Sequence, residues 1–381
     1  MKKNVRVMSL LAPLALATAT SVGAACPAWV SMVAMINKDN KVDCTNYGSL
    51  QILDFYGKTK AQFIDGLGPF ASLIDAKDLA FIPDGVSINK VAYIDAQTDK
   101  CEGGTACELE LKVSKDLDVQ FVYVYRAFKK DVFSTLTLPF DLNTGDVKAL
   151  NMVLEFNGVK QKEIDGEKKT VVSMKKVWEK GKTAKTLEAY KPYLIKMSDE
   201  AMNVSTEGVT IKKLPSSDIM SDKAPMWQDV NGWVFFGTLK GYQWTEEDEY
   251  YTQFKGISYG FAAEAAGSIK AGQFVKAGEG SWIGPFRAFL FEVSEIGADA
   301  GISTVRSSVG KTPSTFKLPE KMYVVIEDED GQQTTTIGRL NTRTGEFLKA
   351  ETRVFDLKGR NINGSAPRAR GAYYGKKSVV R

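Results

Sequence analysis

The chain of 381 residues contains no histidine. Without an imidazole side chain it cannot form a Ser-His-Asp or Cys-His catalytic system, an HExxH zinc site or a metal site of two histidines and one carboxylate. An enzyme with this sequence would have to use carboxylates, lysine, tyrosine or a bound cofactor. The sequence selects no catalytic residue, and we expect neither a cofactor nor a metal site.

Apolar runs long enough to cross a membrane are also missing, since such a helix needs about 20 residues. Residues 1–24 begin with three basic residues, continue with a largely apolar stretch (Val7 to Thr20) and end in small residues before a cleavage point after Ala24. This order is typical of a secretory signal peptide. We therefore expect the mature chain to pass through the periplasm and to be secreted or held at the outer-membrane surface.

Cysteine is scarce, with four residues in the whole chain: Cys26, Cys44, Cys101 and Cys107. An even number in an oxidising compartment indicates disulfides. Four cysteines allow three pairings, and proximity in the sequence favours Cys26–Cys44 and Cys101–Cys107. The end of the signal segment also resembles a bacterial lipobox, so lipidation of Cys26 stands as an alternative to plain cleavage.

Helical patterns are few. Apolar residues between Pro27 and Ile36 share one helical face, which predicts a short helix packed on the core. Weaker helical patterns cover Leu187–Tyr190 and Ala262–Ile269. They do not alternate regularly with strands, which argues against a doubly wound α/β fold.

Most of the mature chain has a β pattern, in short runs rich in β-branched and aromatic residues. The predicted strands are residues 51–56, 90–94, 109–113, 119–125, 133–138, 170–174, 193–196, 233–239, 286–291, 322–326, 334–337, 354–357 and 378–380. Asn-Gly, Asp-Gly and Glu-Gly pairs predict hairpin turns between strands. They lie at residues 157–158, 165–166, 207–208, 231–232 and 330–331.

Many short strands with frequent turns indicate a mainly β fold with few short helices. The body is predicted as an antiparallel β-sandwich (jelly-roll-like) or an open barrel. We divide the mature chain into an N-terminal disulfide-stapled region (25–117), a central β-sandwich domain (118–300), a Ser/Thr/Gly/Pro-rich linker (301–318) and a small C-terminal domain (319–381).

Charge is unevenly distributed along the chain. The last 29 residues (353–381) hold eight basic residues against Asp356 alone. A basic tail is typical of a segment that binds nucleic acid or anionic lipid. Since this chain is predicted to be secreted and its body is mildly acidic, nucleic acid is not expected as a partner. The tail instead indicates contact with export machinery or with an anionic envelope component.

The same tail has an ordered motif: apolar-x-D-x-x-G-R, then G-x-Y, then K-K-x-V-V-basic at the end. Its residues are Asp356, Gly359, Arg360, Gly371, Tyr373, Lys376, Lys377 and Arg381. The motif resembles the C-terminal sorting domain of proteins exported by the type IX secretion system. The resemblance implies a small Ig-like β-sandwich at the C-terminus. It also implies the secretion and attachment machinery of the outer membrane as partners.

The region 118–381 is similar to uncharacterised β-rich modules that accompany such tails in secreted bacterial proteins. The similarity is carried by residues 133–140, 191–196, 259–261, 272–278, 285–290 and 337–342. It implies an exported surface protein and supplies no catalytic residues. Residues 25–117 resemble no family that we recognise.

Aromatic residues beside turns are the candidate ligand-binding residues, because flat aromatic faces stack on sugar rings. They are Trp227, Trp244, Tyr250, Tyr251 and Trp282. The competing interpretation places these rings in the core of a sandwich.

The leading hypothesis is an exported, non-enzymatic β-rich protein with a structural, adhesive or polysaccharide-binding role. The alternative is a secreted glycan-active enzyme that uses two carboxylates about 5–10 Å apart. The 46 acidic residues do not reveal such a pair from the sequence alone. An aromatic strip on the surface would favour binding, and two carboxylates facing each other in an aromatic cleft would favour hydrolysis.

Overall fold

The computed structural model describes residues 26, 29–31, 33, 41–48, 50–74, 79, 82–96, 111, 113–164, 167–199, 202–214, 225–244, 258–265, 269–293 and 318–327. Short strands between residues 338 and 380 are described by their backbone. The fold is mainly β, as predicted, and is dominated by large curled sheets. Strands are numbered in chain order.

A five-stranded sheet combines the N-terminal strands with one later strand. Its order is β1 (Asp43–Asn46), β2 (Leu50–Lys58), β3 (Ile88–Asp95), β4 (Leu117–Tyr125) and β11 (Met202–Ile211). β3 and β4 are parallel, whereas the other neighbours are antiparallel. The predicted strands at 51–56, 90–94 and 119–125 therefore form its centre.

A ten-stranded sheet forms the larger part of the fold. Its order is β12 (Trp227–Val230), β13 (Trp233–Gly237), β18 (Ala288–Glu292), β15 (Ser258–Ala262), β16 (Gln273–Lys276), β19 (Lys321–Glu327), β8 (Glu167–Glu179), β7 (Leu150–Ile164), β10 (Tyr193–Met197) and β5 (Phe133–Leu136). β19 and β8 are parallel. The sheet is curled: the Ala288 amide of β18, the third strand in the order, donates to Thr135 Oγ1 of β5, the last strand, at 3.1 Å.

Shorter strands pair in four small groups. They are β6 (Leu142–Asn143) with β9 (Thr186–Leu187), β14 (Tyr242–Gln243) with β17 (Trp282–Ile283), β20 (Gly338–Asn341) with β21 (Glu346–Lys349), and β22 (Phe355–Asp356) with β23 (Tyr373–Gly375) and β24 (Ser378–Val380).

One buried cluster contains side chains from both large sheets. Ile94 and Val124 of the five-stranded sheet and Phe236 and Phe289 of the ten-stranded sheet belong to it. The opposite face of the ten-stranded sheet is also buried, around Phe235 and its neighbours. Burial on both faces explains why β13 is a continuous apolar run rather than an alternating one.

A third cluster covers part of the other face of the five-stranded sheet. Helix α1 (Lys60–Leu67) packs Phe63 against Phe55 of β2, with ring centroids 5.3 Å apart. Trp29 joins the same cluster from a helical stretch, as predicted for the segment after Pro27. A 3-10 helix (Gly68–Leu73) continues from α1, and another covers Thr144–Asp146.

The helix α1 was not predicted, although its N-terminus has a capping box. Thr59 Oγ1 accepts from the Gln62 amide at 3.2 Å, and Gln62 Oε1 accepts from the Thr59 amide at 2.9 Å. The predicted helix at Leu187–Tyr190 is wrong, because Leu187 lies in β9 and Tyr190 has a φ of 65°, which a helix does not allow. At the predicted helix Ala262–Ile269, Ala262 ends β15, which pairs with β16, and residues 263–265 are not helical. Residues 266–268 lie outside the described part of the chain.

The predicted Asn-Gly, Asp-Gly and Glu-Gly turns form two kinds of feature, hairpin turns and β-bulges. Asn231-Gly232 is the predicted hairpin turn between β12 and β13, with φ angles of 56° and 79°. Residues 165–166 connect β7 to β8, where Ile164 pairs with Glu167. Gly158 and Gly208 instead lie inside β7 and β11 at register shifts, so both predicted turns there are β-bulges. The pair at 330–331 lies outside the described residues.

The predicted Cys26–Cys44 disulfide is confirmed, with the two Cα atoms 6.1 Å apart. It joins the start of the N-terminal helical stretch to β1. The bond occupies the Cys26 sulfur, which a lipid thioether would also need. Cys101 and Cys107 lie outside the described residues.

The sheet pairing crosses the predicted domain limits. β4 begins at Leu117 and pairs with β3, so the first strand assigned to the central domain belongs to the N-terminal sheet. β19 lies between β16 and β8 inside the ten-stranded sheet, although residues 319–327 were assigned to the C-terminal domain. The positions of β4 and β19 depend on hydrogen bonds between residues far apart in sequence, which cannot be predicted from local composition.

No helix in the described part of the chain is both long and apolar enough to cross a membrane.

Candidate functional site

Two of the predicted ligand-binding tryptophans lie in the core. Trp227 and Trp244 are each 5% exposed. The Trp227 ring meets Phe291 edge to face at 5.2 Å, and the Trp244 ring meets Phe289 in the same way at 5.4 Å. Since both side chains are almost completely buried, neither ring offers a free face to a sugar.

Trp282 is half-buried at the start of β17. Tyr250 and Tyr251 lie outside the described residues.

Among the residues of the sorting motif, the backbone of Asp356 in β22 pairs with that of Tyr373 in β23. The other motif residues lie outside the described part of the chain: Gly359, Arg360, Gly371, Lys376, Lys377 and Arg381.

A cluster of three tyrosines lies on the face of the five-stranded sheet that is turned away from the ten-stranded sheet. β3 supplies Tyr93, and β4 supplies Tyr123 and Tyr125. The alternation Val122-Tyr123-Val124-Tyr125 explains the placement, because successive side chains of a strand point to opposite faces. Val122 and Val124 are buried between the sheets, and the tyrosines point the other way.

The parallel register brings the three rings together. Tyr93 is paired directly with Tyr123, and their ring centroids are 5.5 Å apart with 30° between the planes. Tyr125 lies 6.2 Å from Tyr93 and 6.4 Å from Tyr123, with interplanar angles of 21° and 22°. We call these three residues the tyrosine patch.

The patch is partly open to solvent. Tyr125 is 44% exposed, whereas Tyr93 and Tyr123 are half-buried and pack partly against the cluster beneath α1. Burial raises the pKa of the Tyr123 phenol, and the neighbouring Tyr125 raises it further. The Tyr123 hydroxyl therefore stays protonated at neutral pH and can act as a hydrogen-bond donor.

Arg126, the residue after Tyr125, holds the end of β4 against the ten-stranded sheet. Its side chain is buried, and Nη1 donates to the Thr135 carbonyl of β5 at 2.5 Å. The guanidinium also lies 4.7 Å from the centre of the Phe128 ring. Burial lowers the pKa of Arg126, and the nearby Arg287 lowers it further. These contacts tie the strand that carries the patch to the ten-stranded sheet.

Comparisons with known protein families, with curated proteins and with solved structures find no match for this chain.

A second exposed tyrosine lies elsewhere on the same sheet. Tyr56 is 52% exposed and has a φ of 54°. Its hydroxyl donates to Asp43, and Lys41 forms an ion pair with the same carboxylate at 2.9 Å. The Tyr56 and Lys41 hydrogen bonds hold the pKa of Asp43 below its usual range. Since this hydroxyl already has a partner, Tyr56 is a weaker ligand-binding candidate than Tyr125.

Among the carboxylates of the described residues, Glu327 has the most displaced pKa, and it lies far from the patch in sequence. Glu327, at the end of β19, accepts from Asn157 at 2.7 Å and from Lys162 and Lys160 at 3.0 and 3.1 Å. Burial raises the pKa of Glu327, but the two lysines outweigh it and bring the pKa to about 2. This group joins β19 to β7 and has a structural role.

In the described segments, no group of three or more Cys, Asp or Glu side chains is arranged to hold a metal ion. The tyrosine patch is the arrangement that offers binding chemistry. These three tyrosines were not predicted as ligand-binding residues, because the candidates were aromatic residues beside turns or polar runs rather than within strands. The available signal was the alternation of tyrosine with valine in β4, which places Tyr123 and Tyr125 on one face.

Proposed function

We propose that this chain is an exported, non-enzymatic protein that binds polysaccharide through the tyrosine patch. The observation that carries the proposal is the close, near-parallel arrangement of Tyr93, Tyr123 and Tyr125 on a partly exposed sheet face. Tyrosine offers a large apolar ring and a polar hydroxyl, and sugars offer apolar C–H faces and hydroxyls. The ligand class and the patch are therefore chemically matched.

The patch is also preorganised in the absence of ligand. Tyrosine has few rotatable bonds, so little side-chain entropy is lost when it is held by a ligand. Tyr93 and Tyr123 already pack against each other and against the cluster beneath α1. The free-energy cost of ordering the protein on binding is therefore small.

The alternative of a glycan-active enzyme requires two carboxylates at a fixed separation around the scissile bond. An aromatic patch on a sheet face supports binding in preference to hydrolysis. A carbohydrate-binding role also agrees with a chain that lacks histidine.

We further propose that the chain reaches the cell surface or the medium by way of the periplasm. The signal-peptide layout of residues 1–24 and the sorting motif in residues 353–381 support this route. In this proposal the body is a jelly-roll-like β-sandwich and the C-terminus is a small Ig-like β-sandwich recognised by the type IX secretion and attachment machinery.

Two experiments test the two parts separately. The purified mature chain is incubated with insoluble cellulose, mannan, xylan and chitin, and the fraction that sediments with each polymer is measured. Retention on at least one polymer is expected, and a chain that stays in solution with all of them would overturn the binding role.

Deletion of residues 353–381 is expected to remove the chain from the surface and medium fractions, and an unchanged distribution would overturn the export route.

A further inference from the structure

We infer that Arg126 and Arg287 form a binding site for a chloride ion where the end of β4 meets the ten-stranded sheet. The inference uses neither the rings of the tyrosine patch nor a sugar ligand, so it does not depend on the proposed function. It assigns a ligand to two arginines that the proposed function leaves without a binding role.

Arg126 is a buried cation. Its side chain is 3% exposed, and a guanidinium keeps its proton in a protein and carries several N–H donors. Within the described residues, its contacts are the hydrogen bond from Nη1 to the Thr135 carbonyl and the ring of Phe128. No carboxylate in that part of the chain pairs with Arg126, so its remaining donors have no acceptor there.

A second guanidinium belongs to the same region. The Ala288 amide, directly after Arg287, donates to Thr135 Oγ1 at 3.1 Å, and Thr137 Oγ1 donates to the Arg287 carbonyl at 3.0 Å. Thr135 therefore contacts the Arg126 guanidinium with its carbonyl and the peptide group after Arg287 with its hydroxyl. Two like charges in one buried region repel each other, in agreement with the lowering of the Arg126 pKa by Arg287.

The charge of Arg126 needs a counter-charge. A neutral carbonyl and an aromatic ring stabilise a buried guanidinium by less than its lost hydration costs. An anion that accepts hydrogen bonds from Arg126 and Arg287 supplies the missing acceptor and cancels the repulsion between them. The two arginines therefore fit an anion better than they fit each other.

The surroundings favour a monatomic anion. Thr135 and Phe128, which contact Arg126, are 4% and 2% exposed. A halide accepts N–H donors from any direction and needs little space, whereas a sulfate or phosphate needs room for its separate oxygens. Arg287 is half-buried, so the ion reaches Arg126 from the side of Arg287. Chloride is the halide expected there.

The first test is thermal melting of the mature chain while chloride replaces gluconate at constant ionic strength, from about 5 mM to about 500 mM. Because chloride binds the folded state, the melting temperature should rise by at least about 3 °C over this range. For Arg126→Met and for Arg287→Met the rise should be less than about 1 °C. Lys90→Met is the matched control, since it removes an exposed cation of β3 and should respond as the wild type does.

The second test needs no variant, so it decides the matter even if Arg126→Met does not fold. Crystals of the wild-type mature chain grown in sodium bromide should show an anomalous peak within hydrogen-bonding distance of both guanidiniums. A map without that peak would overturn the inference. A melting temperature that does not respond to chloride, or an equal response of Arg126→Met and the wild type, would also overturn it. Failure of either test leaves the polysaccharide-binding proposal unchanged, because neither test involves a sugar.

Discussion

Tyr93 and Tyr123 lie opposite each other on two parallel strands, with ring centroids 5.5 Å apart. Parallel neighbours need a long connection, and here residues 96–116 separate β3 from β4. The two rings are thus brought together by tertiary structure and joined by Tyr125 from the same strand. The strand pairing fixes the backbone positions of these residues relative to one another.

Loss of the Glu327 carboxylate charge is expected to weaken the contact between β19 and β7. The folded-state pKa of about 2 lies below the ordinary value of 4.5, so the group stabilises the fold above pH 4.5 and this contribution disappears as the pH falls towards 2. Glu327→Gln should lower the free energy of unfolding by about 2 kcal/mol at pH 7. Urea unfolding at several pH values measures the difference between the two proteins.

The matched control for this change is Glu188→Gln, because Glu188 forms an ion pair on the surface with 70% of its side chain exposed. It should alter stability by less than about 0.5 kcal/mol. A Glu327→Gln difference that persists unchanged from pH 7 to pH 2 would show that the lost charge is not responsible.

Truncation distinguishes the strand β19 from the segment that follows it. Met322 and Val324 are buried in the core of the ten-stranded sheet, so a chain that stops after Leu318 loses a central strand. A chain that stops after Glu327 keeps it. The longer chain should melt cooperatively close to the full-length temperature, and the shorter one should be degraded rapidly by protease. Equal protease resistance of the two truncated chains would contradict the position of β19.

A methyl group at Gly237 should destabilise the fold. A Cβ atom at this position would lie 2.5 Å from Thr137 Oγ1, whereas at Gly260, also in a strand of the same sheet, nothing lies within 4 Å. Gly237→Ala is therefore expected to cost about 1–3 kcal/mol, and Gly260→Ala less than about 0.5 kcal/mol. Denaturant unfolding of the two variants measures both values. Equal stability of the variants would show that β13 and the residues after β5 do not approach so closely.

The Cys26–Cys44 disulfide should stabilise the N-terminal part of the five-stranded sheet. It closes a loop with a sequence separation of 18 residues, for which chain entropy predicts about 3 kcal/mol. The Cys26→Ser/Cys44→Ser protein should unfold at a lower urea concentration than the wild type under oxidising conditions. The difference between the two should vanish in reductant, and a difference that survives reduction would point to the substitutions themselves.

Local patterns were sufficient to predict several strands. The alternation of Val119 to Tyr125 predicted β4 because one face of that strand is buried between the sheets and the other is not. The rule that a polar residue followed by glycine marks a hairpin turn failed at residues 157–158 in β7 and 207–208 in β11, since a glycine with positive φ fits a bulge as well as a hairpin. Their assignment depends on which strand lies beside them.

The site was harder to predict than the strands. Trp244 follows β14, whose partner β17 is about 40 residues away in sequence, so its burial depends on a contact that local composition does not contain. The adjacency of Tyr93 and Tyr123 likewise depends on a parallel pairing across the connection between β3 and β4. Sequence alone identified aromatic residues as candidates but did not identify which of them meet on the surface.

The central claim is that the tyrosine patch binds carbohydrate, and the most direct measurement compares polymer affinity of Tyr125→Ala, Tyr125→Phe and Tyr56→Ala with that of the wild type. Removing the ring at Tyr125 should weaken binding at least about tenfold. Tyr125→Phe keeps the ring and should lose less, and Tyr56→Ala should bind as the wild type does. If Tyr125→Ala binds as well as the wild type, or if Tyr56→Ala loses as much affinity, the assignment of the patch is contradicted.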